Sequence, residues 1–316
     1  MAAKTASRSV VLLFVALHTF VWTALTIITL TAILSRHVQR QVTWLNLNLS
    51  WIFACFAFSL LLITGQLFKP QPDTSICLIQ AAATTSLPSL TSGTTLAFAL
   101  HLWFNIRSSS YQDRLELRRA TLRNVALVIV PYIIPLIEFL AAFVYGTQHP
   151  GQVGLDGTGM LCGLTNTIFA KVSATSVSVI MFITVVFEAW TMWMVYHRHL
   201  SRNSISSMAA LFRLLIFTLF GIVGLVAGLT YLTSHGTNAA AANLLQALPP
   251  VSFVFIFGLQ MDIFRAWMFW RKDESSSNQS MSQGLVLSRT TTPVEVRIDL
   301  VRSTSYPGDE RSEMKV

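Results

Sequence analysis

The chain has 316 residues, of which 53% are hydrophobic and only 11% are charged. Soluble globular domains carry about 25% charged residues, and a soluble protein of this length has no means of hiding so much apolar surface. A lipid bilayer solvates apolar side chains, so the composition indicates an integral membrane protein. The net charge of +8 comes from Arg residues in short segments between apolar runs, which indicates membrane topology rather than nucleic-acid binding.

Seven apolar runs are each long enough to cross a hydrocarbon core of about 30 Å, which takes roughly 20 helical residues. In chain order they are Val10–Leu34, Thr43–Leu67, Ile76–Phe104, Asn124–Tyr145, Ile168–Tyr196, Ala209–Thr233 and Asn243–Met261. They predict an all-α membrane protein, a seven-transmembrane helix bundle over residues 10–261 behind a short N-terminus at 1–9. The first run is too long for a typical signal peptide and its Arg residues follow it, which favours a span over a cleaved leader.

The distribution of Lys and Arg predicts the orientation, because loops rich in these residues stay in the cytoplasm. Up to Lys272, thirteen Lys and Arg residues lie in or at the edge of the segments after the first, third, fifth and seventh runs, whereas four lie on the opposite side. We therefore expect a multi-pass plasma-membrane protein with its N-terminus outside the cell and its C-terminus in the cytoplasm.

Two segments follow the last span. Residues 262–272 mix aromatic and apolar side chains with three cations, a pattern typical of an amphipathic helix in the membrane interface. Residues 273–316 are polar and rich in Ser and Thr, which predicts a disordered cytoplasmic tail. Both a phosphorylation target and a solvated tail without a role fit this tail.

The chain has three Cys residues, and the positions of two of them predict a disulfide. Cys77 begins the third span and Cys162 lies in the loop between the fourth and fifth spans. Both fall on the predicted outer side, where disulfides persist, so a bridge would pin the longest outer loop over the bundle. Two unrelated thiols are the alternative. Cys55 lies within the second span as a small buried hydrophobe.

Seven spans, an outer N-terminus and this bridge together resemble a G-protein-coupled receptor. Three stretches are similar to fungal orphan seven-span receptors: Cys77–Gln80, Pro88 in the third span, and Phe257–Trp267. Phe212–Leu215 more faintly resembles fungal pheromone receptors. The resemblance implies a heterotrimeric G protein at the cytoplasmic side, an unknown small extracellular ligand among the outer halves of the spans, and surrounding membrane lipids.

Polar residues at the depth of the predicted outer half are candidate ligand contacts. Gln80, Thr84 and Gln246 are the three we select from this set. Glu138 and Lys171 would present charge to a polar ligand group, since intramembrane charges usually face the bundle interior. A structural hydrogen bond of Glu138 and snorkelling of Lys171 to the interface are the alternatives. The same depth holds His18, Thr85, Asn166 and Asn243.

A second predicted site lies at the cytoplasmic side. Glu188 is near the inner end of the fifth span and Arg213 begins the sixth, so an ion pair between them would tie the two spans together. Breaking the pair would release the sixth helix as a switch; a static pair is the alternative. The predicted contacts with the G protein are Arg107, Arg118, Arg119 and Arg202. Attraction to anionic lipids also explains such Arg residues.

Other functions fit less well. The chain has no GxGxxG, HExxH or CxxC pattern, and its His residues are scattered over both sides, so we expect no catalysis, no metal and no cofactor. A transporter or lipid-translocating protein is the alternative function, because prolines in the spans leave room for broken helices near the midplane.

Overall fold

The computed structural model describes residues 7–35, 41–108, 116–198, 212–223, 226 and 239–258, all within one compact unit, Met1–Phe269. The helices in these ranges are α1 (Arg8–Leu34), α2 (Val42–Phe58), α3 (Leu60–Ile63), α4 (Thr74–Ser108), α5 (Glu116–Ile129), α6 (Ile133–Gln148), α7 (Thr167–Arg198), α8 (Phe212–Val223), α9 (Ala239–Gln246) and α10 (Leu248–Phe253). The strands are β1 (Val153–Leu155) and β2 (Cys162–Leu164). The predicted interfacial helix and tail lie outside the described residues.

The described helices include three that are long and apolar enough to cross a membrane. They are Arg8–Leu34, Thr121–Gln148 and Thr167–His197. Shorter apolar helices are Val42–Phe58, Phe212–Val223 and Asn243–Gly258. Large apolar side chains remain exposed on the long helices; Ile137 is 62% exposed and Phe182 is 69% exposed. Because lipid solvates such a surface and water does not, these helices indicate a membrane protein.

Helix α4 is central and packs against α2, α6 and α7. Its 35 residues give it a length of about 52 Å. It runs antiparallel to α6: a Cβ on Gly93 would lie 3.4 Å from the Pro131 Cβ, and Gly146 lies against Leu78. The residues of α6 that are buried form a single stripe at helical spacing. They are Pro135, Glu138, Ala142 and Gly146.

The second predicted span was too long at its C-terminal end. It was expected to reach Leu67, but α2 and the short α3 end before Gly65, which has φ +66°. Glycine adopts this left-handed conformation readily, and it commonly ends helices. The next helix starts at a cap, since Asp73 Oδ1 accepts a 2.9 Å hydrogen bond from Ser75 N in the first turn of α4.

Prolines lie within three of the predicted spans, and they interrupt the helices in two of them. A 3₁₀ turn that contains Pro131 separates α5 from α6. Near the C-terminal end, Ala247 separates α9 from α10. Pro249 and Pro250 lie in the first turn of α10, and a π-helical turn follows it. Proline is tolerated there because the first helical turn needs no N–H partner. In contrast, α4 stays helical through Pro88.

The all-α prediction missed a short β-hairpin. Strands β1 and β2 pair antiparallel, with Val153 opposite Leu164 and Leu155 opposite Cys162. The turn between them includes Gly159 at φ +72°. Both strands pack against α4. We refer to the side of the bundle that carries these strands as the hairpin end, and to the other side as the opposite end.

Candidate functional site

The predicted disulfide is confirmed. Cys77, in the first turn of α4, is bonded to Cys162, the first residue of β2, and both side chains are buried. The bond joins positions 85 residues apart in sequence. It fixes β2 across the beginning of α4 and therefore closes the hairpin over that end of the helices. Cys55 is buried and free, as expected.

Gln80 reinforces this attachment. Its Nε2 donates a 3.0 Å hydrogen bond to the Ala57 carbonyl of α2, and its Oε1 accepts a 3.0 Å bond from Cys162 N. The side chain is fully buried. Gln80 was predicted to contact ligand, but its amide connects α2, α4 and β2 and does not line the cavity described below.

The turn of the hairpin is also attached to α9. Asp156 accepts hydrogen bonds from Thr158 Oγ1 at 2.6 and 2.7 Å and from Met160 N at 3.2 Å. Asn243 Nδ2 donates to Asp156 Oδ2 and to Thr158 Oγ1, both at 3.2 Å. The Asp156 carboxylate is thus well supplied with donors, and it links the turn to the C-terminal part of the bundle.

A cavity of about 380 Å³ lies beneath the hairpin. Its walls come from α2, α4, α7, α8, α9, α10 and the hairpin. Most of the lining is apolar, and Asp156 is the one ionisable side chain among the described lining residues. The lining aromatic residues are Trp51, Phe58, Phe169 and Phe217. A cavity of this volume suits a small organic molecule.

Hydroxyl groups of α4 form the polar wall of the cavity. They belong to Thr84, Thr85, Thr91, Ser92 and Thr95. Each of them donates its proton to a backbone carbonyl of the same helix, at distances from 2.7 to 3.2 Å. A hydroxyl has one proton and two lone pairs. With their protons used inside the helix, these oxygens face the cavity as hydrogen-bond acceptors.

An aromatic cluster lies on the side of the cavity away from the hairpin. Trp51 of α2 and Phe217 of α8 line the cavity, with ring centroids 5.8 Å apart. Phe253 lies 5.3 Å from Phe217 and 6.0 Å from Trp51, and Phe257 lies 4.7 Å from Phe253. Phe98 of α4 completes the cluster at 6.1 Å from Phe257. The sequence did not distinguish these rings, because aromatic residues occur throughout its apolar runs.

Two of the five predicted ligand residues line the cavity. They are Thr84 and Gln246. Lys171 is exposed in the first turn of α7, and Glu138 is buried in the α6 stripe, so neither contributes to the wall. The structure therefore does not bring Glu138 and Lys171 together as a charged ligand contact. Three other residues of the same predicted depth do line the cavity: Thr85, Asn166 and Asn243.

Glu188 has a different partner from the one predicted. Its Oε1 accepts a 2.7 Å hydrogen bond from Thr218 Oγ1 of α8, and its Oε2 has no hydrogen-bond partner within the described part of the chain. Arg213 lies five residues before Thr218 on the same helix, about 7.5 Å along the axis. The expected connection between the fifth and sixth spans is present, but a threonine makes it instead of an arginine.

One of the four predicted G-protein contacts falls on a described side chain. The Arg107 guanidinium lies over the Trp103 ring, 5.1 Å from its centroid, and the residue is exposed at the opposite end of α4. Nearby, the Arg123 guanidinium lies 4.4 Å from the centroid of Phe104. The side chains of Arg118, Arg119 and Arg202 lie outside the described residues.

No model of a known protein family matches this chain, and no curated protein sequence matches it significantly. Fold and site therefore define the class of protein: a mostly helical membrane protein with a disulfide-bonded hairpin over a largely apolar cavity.

Proposed function

We propose that this chain is a plasma-membrane receptor of the fungal G-protein-coupled type, with seven spans, an outer N-terminus and a cytoplasmic C-terminus. The observation that carries the proposal is the cavity beneath a disulfide-bonded hairpin. Disulfides persist on the oxidising side of a membrane, so the hairpin end would face outward and the cavity would be reached from outside. Each of the seven predicted spans also contains a described helix.

The chemistry of the cavity supports a small, uncharged ligand. Asp156 already accepts hydrogen bonds from Thr158, Met160 and Asn243, so its charge is compensated without a ligand cation. The aromatic and aliphatic walls favour an apolar body. The α4 hydroxyls accept hydrogen bonds, so the ligand would carry one or a few O–H or N–H groups on that body.

The route from ligand to cytoplasm would run through α8. Phe217 lines the cavity, and the next residue, Thr218, donates to Glu188 on α7. A ligand that shifts the Phe217 ring would also shift Thr218, and the α7–α8 connection would be lost in the active state. Ligand binding drives this change only if the ligand binds that state more tightly. A heterotrimeric G protein would then recognise the parted ends of α7 and α8.

One observation favours the alternative, a transporter or lipid-translocating protein. The last helical segment is broken at Ala247, and Gln246, Pro249 and Pro250 beside the break line the cavity. Interrupted helices that line a central cavity are typical of secondary transporters. The two functions differ in their readout, because a receptor changes a G protein and a transporter moves its substrate.

The test is signalling in a yeast reporter strain that carries a panel of fungal Gα subunits, challenged with growth-medium extracts. Output that depends on one particular Gα would support the receptor. The variant Ala174→Phe fills the cavity, because Ala174 is a lining residue, and should abolish the response. Ala189→Phe, on an exposed position of the same helix, is the matched control.

If no Gα subunit in the panel gives reporter output, although the protein is verified at the cell surface, the transporter becomes the favoured function. Substrate-dependent flux into liposomes that contain the purified protein is then the deciding measurement. Flux that Ala174→Phe blocks and Ala189→Phe spares would replace the receptor proposal with the transporter.

A further inference from the structure

Glu138 is a buried carboxylate without a partner. It is 7% exposed, and neither of its oxygens has a hydrogen-bond partner within the described part of the chain. It belongs to the stripe through which α6 packs on the bundle. An ionised carboxylate is very unfavourable in such a setting unless a positive charge or a set of donors compensates it.

The groups around Glu138 are hydroxyls from two other helices. Ser89 of α4 and Ser176 of α7 lie beside its carboxylate. The Ser89 hydroxyl is itself fully buried and has no hydrogen-bond partner among the described residues. Three helices thus bring polar oxygens to one buried point, where the Glu138 carboxylate has hydroxyl neighbours but no charged partner among the described residues.

No described side chain supplies the missing positive charge. Lys171 is exposed and lies five residues before Ser176 on α7, and it forms no ion pair with Glu138 in the described ranges. The described charged residues of α4 that come next, His101 and Arg107, follow Ser89 by twelve and eighteen residues. At 1.5 Å per residue these positions are about 18 and 27 Å away along the helix.

We propose that Glu138, Ser89 and Ser176 bind one small monovalent cation, for which Na⁺ serves as the probe. Carboxylate and hydroxyl oxygens are hard ligands that suit hard cations. A single carboxylate carries one negative charge, so a monovalent ion neutralises the site, whereas a divalent ion would leave a buried positive charge. Within the described ranges, Glu138 belongs to no group of three or more His, Cys, Asp or Glu side chains of the kind that would favour a transition metal.

The site lies behind the wall of the cavity. Ser89 follows Pro88 and Ser176 precedes Val177, and both of these neighbours line the cavity. A cation bound to all three helices would hold α6 against α4 and α7 at this depth. The proposal does not depend on the receptor function, since it concerns ion binding by the folded protein alone.

The test is thermal unfolding of the purified full-length protein in nanodiscs at one pH near neutrality. NaCl and choline chloride are compared at equal concentration, about 150 mM, so that screening is the same. An ion that binds only the folded protein raises the Tm. We expect the wild-type Tm in NaCl to exceed that in choline chloride by about 3 °C or more.

Substitutions locate the effect. Glu138→Gln should abolish the difference between NaCl and choline chloride, and it should unfold at a higher temperature than wild type in choline chloride because the uncompensated charge is gone. Ser89→Ala and Ser176→Ala should shrink the Na⁺ effect. Ser86→Ala is the matched control: Ser86 is buried on the same helix, but its hydroxyl donates to the Ala83 carbonyl, so the Na⁺ effect should persist.

Three results would overturn the proposal. Equal wild-type Tm values in NaCl and choline chloride would mean that a proton, not a cation, neutralises the carboxyl. A Glu138→Gln protein that keeps the full Na⁺ effect would place the ion elsewhere. If Glu138→Gln does not fold, an undiminished Na⁺ effect in both Ser89→Ala and Ser176→Ala would have the same meaning.

Discussion

Thr218 donates a 2.7 Å hydrogen bond to Glu188, and it does so directly after Phe217, whose ring lines the cavity. The side chains of these two consecutive residues of α8 therefore face different partners, a cavity and a carboxylate on α7. Thr218 and Glu188 are 1% and 2% exposed, so the bond is shielded from solvent. We therefore expect a displacement of α8 at the cavity to change the geometry of the hydrogen bond from Thr218 to Glu188.

We expect Thr218→Val and Glu188→Ala to weaken the connection between α7 and α8. Leaving one partner of a buried hydrogen bond unsatisfied costs about 1–3 kcal/mol, and the folded protein should unfold at lower temperature. On the proposed function, ligand-free signalling should also rise. Thr191→Val is the control, because Thr191 is equally buried on α7 but its hydroxyl donates within its own helix, to Phe187. Basal output that stays at the wild-type level or falls in both variants, at equal surface expression, would contradict the switch.

We expect reduction of the Cys77–Cys162 bond to destabilise the protein and to disturb the cavity. The disulfide spans 85 residues, and loss of such a bond typically costs about 2–5 kcal/mol. Cys77→Ala with Cys162→Ala should lower the Tm, and the Tm of this double variant should no longer respond to reductant. Cys55→Ala is the control, since this buried thiol is unpaired and the variant should keep the wild-type response. A wild-type Tm that is insensitive to reductant would show that the bond contributes little.

We expect Gln80 and Gln246 to differ in what their removal changes. Gln80→Ala deletes two buried hydrogen bonds, to Ala57 and from Cys162. The Cys162 amide then loses its partner, which costs about 1–3 kcal/mol, whereas the Ala57 carbonyl keeps a bond from Ser59 N. Gln246→Ala removes an exposed side chain that lines the cavity. Gln80→Ala should therefore lower the Tm. Gln246→Ala should instead weaken the ligand response, measured at matched expression. The reverse assignment would make Gln80 a ligand contact after all.

We expect Asn243→Leu to loosen the hairpin turn. Asn243 donates to both Asp156 and Thr158, and without it the Asp156 carboxylate keeps its bonds within the turn but loses its link to α9. Hydrogen exchange should become faster at the amide of Met160, which donates to Asp156. The amide of Cys162, held by Gln80 Oε1, is the internal reference and should not change. Equal acceleration at both amides would indicate loss of the whole hairpin instead.

The long helices could be predicted from the sequence because apolar runs of sufficient length have few alternatives in lipid. Helix ends were harder to predict: the second helical segment ends with α3, just before Gly65, and the hydropathy of Thr43–Leu67 does not show the conformation of this glycine. The hairpin was missed because strands of three residues are too short to show alternation. The Asp156–Gly157 pair, a common turn signal, was the one available indication.

The candidate site was only partly predictable, because depth in the membrane does not tell which way a side chain faces. Gln80 and Thr84 lie one helical turn apart on α4, yet the first is a structural link and the second lines the cavity. Charge was similarly misleading for Glu188. The acid near the inner end of the fifth span was paired with Arg213, the base that begins the sixth, whereas the buried hydroxyl of Thr218 reaches it in the fold.

The double attachment of the hairpin to α4 has a mechanical consequence. Cys162 is held to α4 by the bond to Cys77 and, through its amide, by Gln80, so β2 and the beginning of α4 move as one rigid body. The hairpin is also the connection between α6 and α7, which fixes the spacing of those helices at this end. Relative motion of α6 and α7 is then a pivot about the hairpin end, with an amplitude that grows along the helices. A small displacement of α7 beside the cavity is therefore expected to produce a larger lateral shift at the end of α7 that is farther from the hairpin.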